Sequence, residues 1–304
     1  MKVYTTLQDN KNVWRSWLDM FYRLSKTLEA KYNAEVISQV GGHLRIDFIG
    51  HNLPDCEVVI YDEEKDILYA MSLSETQTRL WDVFCERNKK EDVFILVGQR
   101  EWDMANKDIS VLNFQLKQCT YYTYLANHDY DHFYKIGLKT PFSKRKDKLF
   151  FKCATGRVDA FTLEKQGYIT CDIDASVDIV KYCESAITHK MGLSIAGNLE
   201  MCYRDIENMA LGVPNLRFEY CNKYDPLLIP NVHYIAVERG ELAFDAYQDL
   251  RGSDINVQKY INRFNEVKDD YDFLQYIALN ARQYYEQYCS KDNNVNLLLS
   301  KFNL

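Results

Sequence analysis

Short runs of β-branched and aromatic residues alternate along this chain with longer stretches whose apolar residues recur every three to four positions. No other feature limits the fold so tightly. Strands that read as continuous apolar runs are buried on both faces, and a parallel sheet with helices on either side is the arrangement that buries them. In the first half the pattern predicts strands over 34–39, 57–61, 67–73 and 93–97, with helices over 13–31, 76–87 and 111–124. In the second half it predicts strands over 149–152, 168–173, 191–196 and 215–218, interleaved with helices over 156–165, 177–188 and 203–211. The tail from 254 to 304 is helical in period. Between the halves, the polar and basic stretch 140–148 (TPFSKRKDK) interrupts the pattern. The expected organisation is an α/β chain of two domains, 1–145 and 146–304.

Size and composition agree with this. At 304 residues the chain exceeds what a single core organises well. With 47% hydrophobic and 27% charged side chains it has the mixture of a folded protein rather than a disordered one. A net charge of -7 has the wrong sign for gaining affinity by neutralising phosphates, so nucleic acid is not an expected partner. Nine cysteines, an odd number with no C-x-x-C pair, point to neither a disulfide framework nor a zinc knuckle, and fit a reducing compartment. The first residues lack the basic start and apolar stretch of a leader, and no run reaches the ~18 apolar residues of a membrane span. A cytoplasmic protein without integral membrane contact is the expectation.

The chemistry concentrates in 191–216, MGLSIAGNLEMCYRDIENMALGVPNL. A strand is expected to end by Gly197, a loop carrying Asn198 follows, and a helix opens at Tyr203 and is stopped by Gly212 and Pro214. The helix start then faces the carboxyl edge of the sheet, where open α/β sheets bind ligands and where unpaired N–H groups suit a diphosphate. Arg204 and Glu207 lie three apart and share a helix face. A guanidinium there can meet a phosphate, and a carboxylate can accept hydrogen bonds from ribose hydroxyls. An ordinary amphipathic helix with a packing end is the plainer reading of the same residues.

Residues 207–214, Glu-Asn-Met-Ala-Leu-Gly-Val-Pro, resemble the E-x-x-A-x-G-x-P donor-site pattern of sugar-nucleotide glycosyltransferases of GT-B type. Neighbouring segments are similar too. Residues 148–157 (KLFFKCATGR) look like the strand and basic loop that open the donor domain of those enzymes. Residues 228–237 (LIPNVHYIAV) resemble the L-x-P-x-x-H-Y-I segment of CAP10-like and exostosin-like members, and 273–290 resemble their terminal helix. The nearest likeness is to these and to viral-type glycan-building members. The resemblance implies two Rossmann-like domains facing a cleft, with a C-terminal helix crossing back. It implies that Glu207 binds the nucleotide ribose and that Arg157 and Arg204 bind the diphosphate. Lys152 is a further phosphate candidate, and Asn198 and Tyr203 flank the donor. Leu199 stands eight residues before Glu207, so a two-glutamate retaining mechanism is not carried over. No metal or resident cofactor is implied. The substrates would be a UDP-sugar and a saccharide hydroxyl, joined by hexosyl or pentosyl transfer.

On the acceptor side, Glu75 follows Ser72-Leu73-Ser74 between a strand and a helix, and so is a candidate base for the acceptor hydroxyl. A helix-start carboxylate favouring the dipole is an equal reading. His43, after Gly41-Gly42, is a second candidate base, although a hairpin turn explains the same residues. His128-Asp129-Tyr130-Asp131-His132 has metal-ligand side chains but reads as loop, so no metal is assigned there. His233, in an apolar stretch, reads as a satisfied core imidazole. No G-x-G-x-x-G or P-loop pattern is present, which sets aside nicotinamide and P-loop chemistry. A protein that binds nucleotide-sugar or glycan without catalysis is the alternative.

Overall fold

The computed structural model describes residues 2–5, 15–38, 44–46, 51–53, 58–73, 87, 89, 91, 93–97, 119–122, 130–152, 158–172, 179–195, 203–220, 226–239, 254–301 and 304. The chain forms two compact units. The first comprises Met1–Asn127, Tyr224–Pro226 and Ser290–Leu304, and the second His128–Lys223 and Leu227–Cys289. Residues 128–145, assigned from sequence to the first domain, therefore pack within the second unit.

In the first unit, β1 (Lys2–Thr5) and β2 (Glu35–Ser38) pair in parallel and are connected through α1 (Arg15–Tyr32), whose Leu24 and Leu28 are fully buried. A separate antiparallel pair follows, β3 (Leu44–Ile46) with β4 (His51–Leu53). The main sheet continues through β5 (Val58–Asp62), β6 (Ile67–Leu73), β7 (Val93–Val97) and β8 (Cys119–Tyr122), in the order β2-β1-β5-β6-β7-β8.

Two features depart from the sequence expectation. The sheet is mixed: β5 runs antiparallel to both β1 and β6. The reason is local, since only four residues join β5 to β6, and a parallel pair needs a crossover of a dozen residues or more. Asp66 takes a left-handed φ of 53°, and its carboxylate accepts from the Tyr61 hydroxyl at 2.7 Å to close that turn. The second departure is β8, a strand parallel to β7 where a helix over 111–124 was expected. Cys-Thr-Tyr-Tyr favours a pleated surface, and the flank of β7 not taken by β6 supplies the ladder. Neither β1 nor the β3–β4 pair was anticipated. The expected helix over 76–87 lies outside the described residues except for Arg87.

The second unit begins with α2 (Asp131–Gly137), which corrects the loop expected around Asp131 and His132. Then come β9 (Lys146–Lys152), α3 (Val158–Lys165), β10 (Ile169–Asp172), α4 (Ile179–Ala186), β11 (His189–Leu193), α5 (Tyr203–Leu211), β12 (Asn215–Phe218) and β13 (Ile235–Val237). The five strands form one wholly parallel sheet in the order β10-β9-β11-β12-β13. The strand β11 ends at Leu193 rather than near Gly197, although Ser194 and Ile195 remain buried.

Right-handed crossovers put α3 on one face and α4 and α5 on the other. Side chains agree with that division. Leu149 and Phe151 of β9 join a cluster with Leu163 of α3 and with Val257 and Phe264 of α6 (Asp254–Val267), whereas Phe150 meets Tyr182 of α4 with ring centroids 5.3 Å apart. Each fully buried Leu or Phe contributes roughly 1.5–3 kcal/mol. Helix α7 (Tyr271–Tyr284) adds Leu274 and Ile277 to the core and passes into a π-turn at Tyr285–Cys289. The last helix, α8 (Lys291–Lys301), groups with the first unit.

Candidate functional site

In chain order, the strands of the second unit lie 2-1-3-4-5. The connection leaving β9 passes to one face of the sheet and the connection leaving β11 to the other, the kind of switch point beyond whose carboxyl ends open α/β sheets bind their ligands. The described residues at that point are Lys152, the last of β9, and Arg204, in the first turn of α5. Arg204 Nε donates to the Lys152 carbonyl at 3.0 Å, and its guanidinium lies over the Phe151 ring at 4.5 Å. The sheet edge and the helix start are tied together by this one side chain, which remains half-buried.

One turn along α5, Glu207 is half-buried beside Arg204. Burial holds its carboxyl above the usual carboxylate range. The Arg204 charge and hydrogen bonds from the Tyr182 and Tyr130 hydroxyls act in the opposite direction. Both phenols are raised, by burial first and by the Glu207 charge second. A carboxylate offers about four acceptor positions, so two tyrosine donors leave capacity for further donors.

The geometry of α5 follows from a buried polar lattice beneath it. Asp205 and Arg217 of β12 form a fully buried ion pair at 2.8 Å, and Arg217 stacks on Tyr220 at 3.4 Å. Asn208 donates to Asn215 Oδ1 at 2.6 Å, and Asn215 donates to the Asp205 carbonyl at 3.0 Å. Gly192 on β11 makes room for this approach, because a Cβ there would collide with the Asn208 amide. At the far end Gly212 stops the helix in the left-handed region, at φ 63°. Arg282 of α7 donates to the Ala210 carbonyl there, while pairing with Asp131 and, at 2.7 Å, with Glu286.

The structure brings Lys152, Arg204 and Glu207 together, with Tyr203 opening the helix. Lys152 takes part through its main-chain carbonyl. Arg157, Asn198, Glu75 and His43 lie outside the described residues. His233 is half-buried; its Nδ1 accepts from the Ile229 N–H at 3.0 Å and its ring rests on Tyr284, so the reading as a satisfied imidazole holds in substance. His132 is exposed on α2, and among the described residues no three His, Cys, Asp or Glu side chains gather into a metal-binding group. Also among them, no helix is long and apolar enough to cross a membrane.

Sequence reasoning missed Tyr130, Tyr182 and the Asp205–Arg217 pair. The polar residues of α5 were visible as Asp, Glu and Asn on a helix of known extent. Their partners sit 7 to 77 positions away, with no spacing to announce them.

No protein-family model matches the chain, and no curated protein matches it. Solved structures resemble it slightly. The crystal structure of TarM aligns at 9% identity and a TM-score of 0.39, covering 86% of this chain and 68% of that one. The GtfA/B complex aligns at 9% identity and 0.36, covering 86% and 67%. The pneumococcal O-GlcNAc transferase GtfA in complex with UDP and GlcNAc aligns at 9% and 0.30, covering 86% and 66%.

Proposed function

We propose that the protein is a glycosyltransferase of GT-B-like architecture that moves a sugar from a nucleoside-diphosphate donor, a UDP-sugar, to a hydroxyl of a saccharide acceptor. The observation that carries this reading is the placement of Arg204 and Glu207, on the E-x-x-A-x-G-x-P helix, beside the carboxyl end of β9 at the point where the strand order reverses. In this reading the diphosphate lies across the crevice, against Arg204, Arg157 and the N–H groups around Asn198. The ribose hydroxyls donate to the acceptor positions that Tyr130 and Tyr182 leave on Glu207.

The reaction breaks the bond between the anomeric carbon and the diphosphate oxygen and forms one from that carbon to the acceptor oxygen. The acceptor proton passes to a base, Glu75 or His43, and the developing diphosphate charge is met by the arginines. The protein's work is positional and electrostatic.

Calorimetric titration with UDP, followed by an assay of UDP release from UDP-sugars, tests the proposal. Saturable UDP binding that Arg204→Ala weakens at least tenfold, with UDP release dependent on a saccharide, is the expected result. Binding with no turnover on any sugar nucleotide would favour the non-catalytic alternative, and no binding at all would end both.

A further inference from the structure

At the end of α5 away from Arg204, α2 packs on Gly212, where a Cβ would stand 2.7 Å from the Tyr134 ring. Helix α7 adjoins α2: Arg282 pairs with Asp131 and lies over the Tyr134 ring at 4.3 Å. Between the two helices Leu138 and Leu279 border one shallow recess, and both are open to solvent, at 54% and 48%. Tyr276, one turn before Leu279 on α7, is 48% exposed as well.

Around these apolar groups the charge is one-sided. In a chain of net charge -7, residues 132–146 include Lys135, Lys139, Lys144, Arg145 and Lys146 and no acid. Lys135 stands three positions before Leu138 and four before Lys139, so the three are neighbours on the exposed side of α2 and its continuation. Arg145 fixes the turn that follows. It is buried, its Nε donates to the Thr140 carbonyl at 3.1 Å and its Nη2 to the Gly137 carbonyl at 3.0 Å, and the guanidinium rests on Phe142 at 4.1 Å. Lys144, beside it, is exposed. Lys135, Lys139 and Lys144 make no ion pair among the described residues. The acids close by have tasks in the fold. Asp131 and Glu286 pair with Arg282, Asp270 caps α7 at the Phe273 N–H, and Asp272 stands in the first turn of α7, where the helix dipole favours it.

We infer that this face docks on an anionic lipid bilayer, with Leu138, Leu279 and Tyr276 entering the headgroup layer and Lys135, Lys139 and Lys144 meeting lipid phosphates. The presence of both kinds of side chain decides the partner. Exposed leucines gain from a layer that offers hydrocarbon, and lysines without counter-ions gain from one that is negatively charged. A soluble polyanion would use the lysines and leave the leucines in water. A second copy of this chain, related by a twofold axis, would set lysine against lysine. Docking of this kind crosses no bilayer, and it turns toward the lipid the end of α5 opposite Arg204.

Co-sedimentation of the full chain with vesicles provides the test. Vesicles of phosphatidylglycerol and phosphatidylcholine in equal parts are expected to bind it at least tenfold more tightly than phosphatidylcholine alone. The double variant Lys135→Glu, Lys139→Glu should lose that preference. The double variant Leu138→Ser, Leu279→Ser should bind the mixed vesicles several-fold more weakly. All four positions are exposed, and thermal melts check that each variant stays folded. Equal binding to the two kinds of vesicle, or wild-type binding by the lysine variant, would overturn the inference. Wild-type binding by the leucine variant would assign the lysines to a soluble polyanion instead. A dimer in sedimentation velocity that the leucine variant abolishes would assign the face to a second copy. None of these readouts depends on whether UDP binds.

Discussion

The two edges of the parallel sheet handle charge differently. At the amino edge Lys190 is buried between Asp147 and Asp269, at 3.1 and 3.2 Å, and Lys268 reaches the same two carboxylates at 3.3 and 3.1 Å. The group links the starts of β9 and β11 to the turn after α6. At the carboxyl edge Arg204 is half-buried, has its Nε on a neutral carbonyl and has Glu207 within electrostatic reach. A cation enclosed by two carboxylates has its field cancelled by the protein. Arg204 is instead held to the sheet by a main-chain carbonyl and shares the Glu207 carboxylate with two tyrosine hydroxyls, at the edge where open α/β sheets bind ligands. Helix α5 joins the edges, anchored below by Asp205 and ended by Gly212.

That contrast yields predictions of decreasing size. Asp205→Ala leaves Arg217 buried without its counter-ion, and a loss of about 3–5 kcal/mol is expected in denaturant unfolding. Retention of wild-type stability would mean that the lattice beneath α5 does not hold the carboxyl edge together. Arg204→Ala should cost about 1.5–3 kcal/mol of UDP binding, roughly ten- to a hundredfold, with little change in melting temperature. Lys190→Met at the amino edge should do the reverse, lowering the melting temperature and leaving UDP affinity alone. If the two variants behaved alike, the distinction between the edges would be lost.

Gly212→Ala forces a side chain into the left-handed region, with its Cβ 2.7 Å from the Tyr134 ring. A stability loss of about 1–3 kcal/mol is expected, without effect on the UDP-binding end of α5. The smallest effect is expected from pH. His189, at the start of β11, is held below its ordinary pKa, by burial first and by Lys146 and Lys148 as well; its hydrogen bond to the Ser185 carbonyl, 2.8 Å long, works the other way. The unfolded chain then takes up the proton more readily than the folded one. Its contribution is therefore intact above the unfolded value of about 6.5 and declines as pH falls below it. Thermal melts from pH 7.5 to 5 should show that decline, and His189→Gln should flatten it.

Periodicity was sufficient for α5 and β12. Tyr203–Leu211 and Asn215–Phe218 lie where the pattern placed them, because the amphipathic face, Gly212 and Pro214 are all local signals. It was insufficient for β8, where four residues within a stretch of helical period form a strand on the flank of β7 not taken by β6. It was insufficient also for the direction of β5, which depends on a four-residue turn and on β1, more than fifty positions earlier. At the candidate site, Arg204, Glu207 and Lys152 were visible as residue types in a motif. That Lys152 takes part by its carbonyl, and that two tyrosines hold Glu207, became visible only once β9, α4 and α2 were packed around α5.

The sequence by itself determined that this is an α/β protein, where α5 begins and ends, and which charged side chains its first two turns carry. These are matters of period, glycine and proline, each set within a few residues. The tertiary structure alone decided which charges meet a carboxylate and which are held by main-chain carbonyls. Counter-ions such as Asp269 for Lys190 come from the far side of the chain, and the absence of one at Arg145 is a property of the packed interior. Pairing across such separations depends on strand order, and strand order is a choice among long-range contacts that no local pattern records.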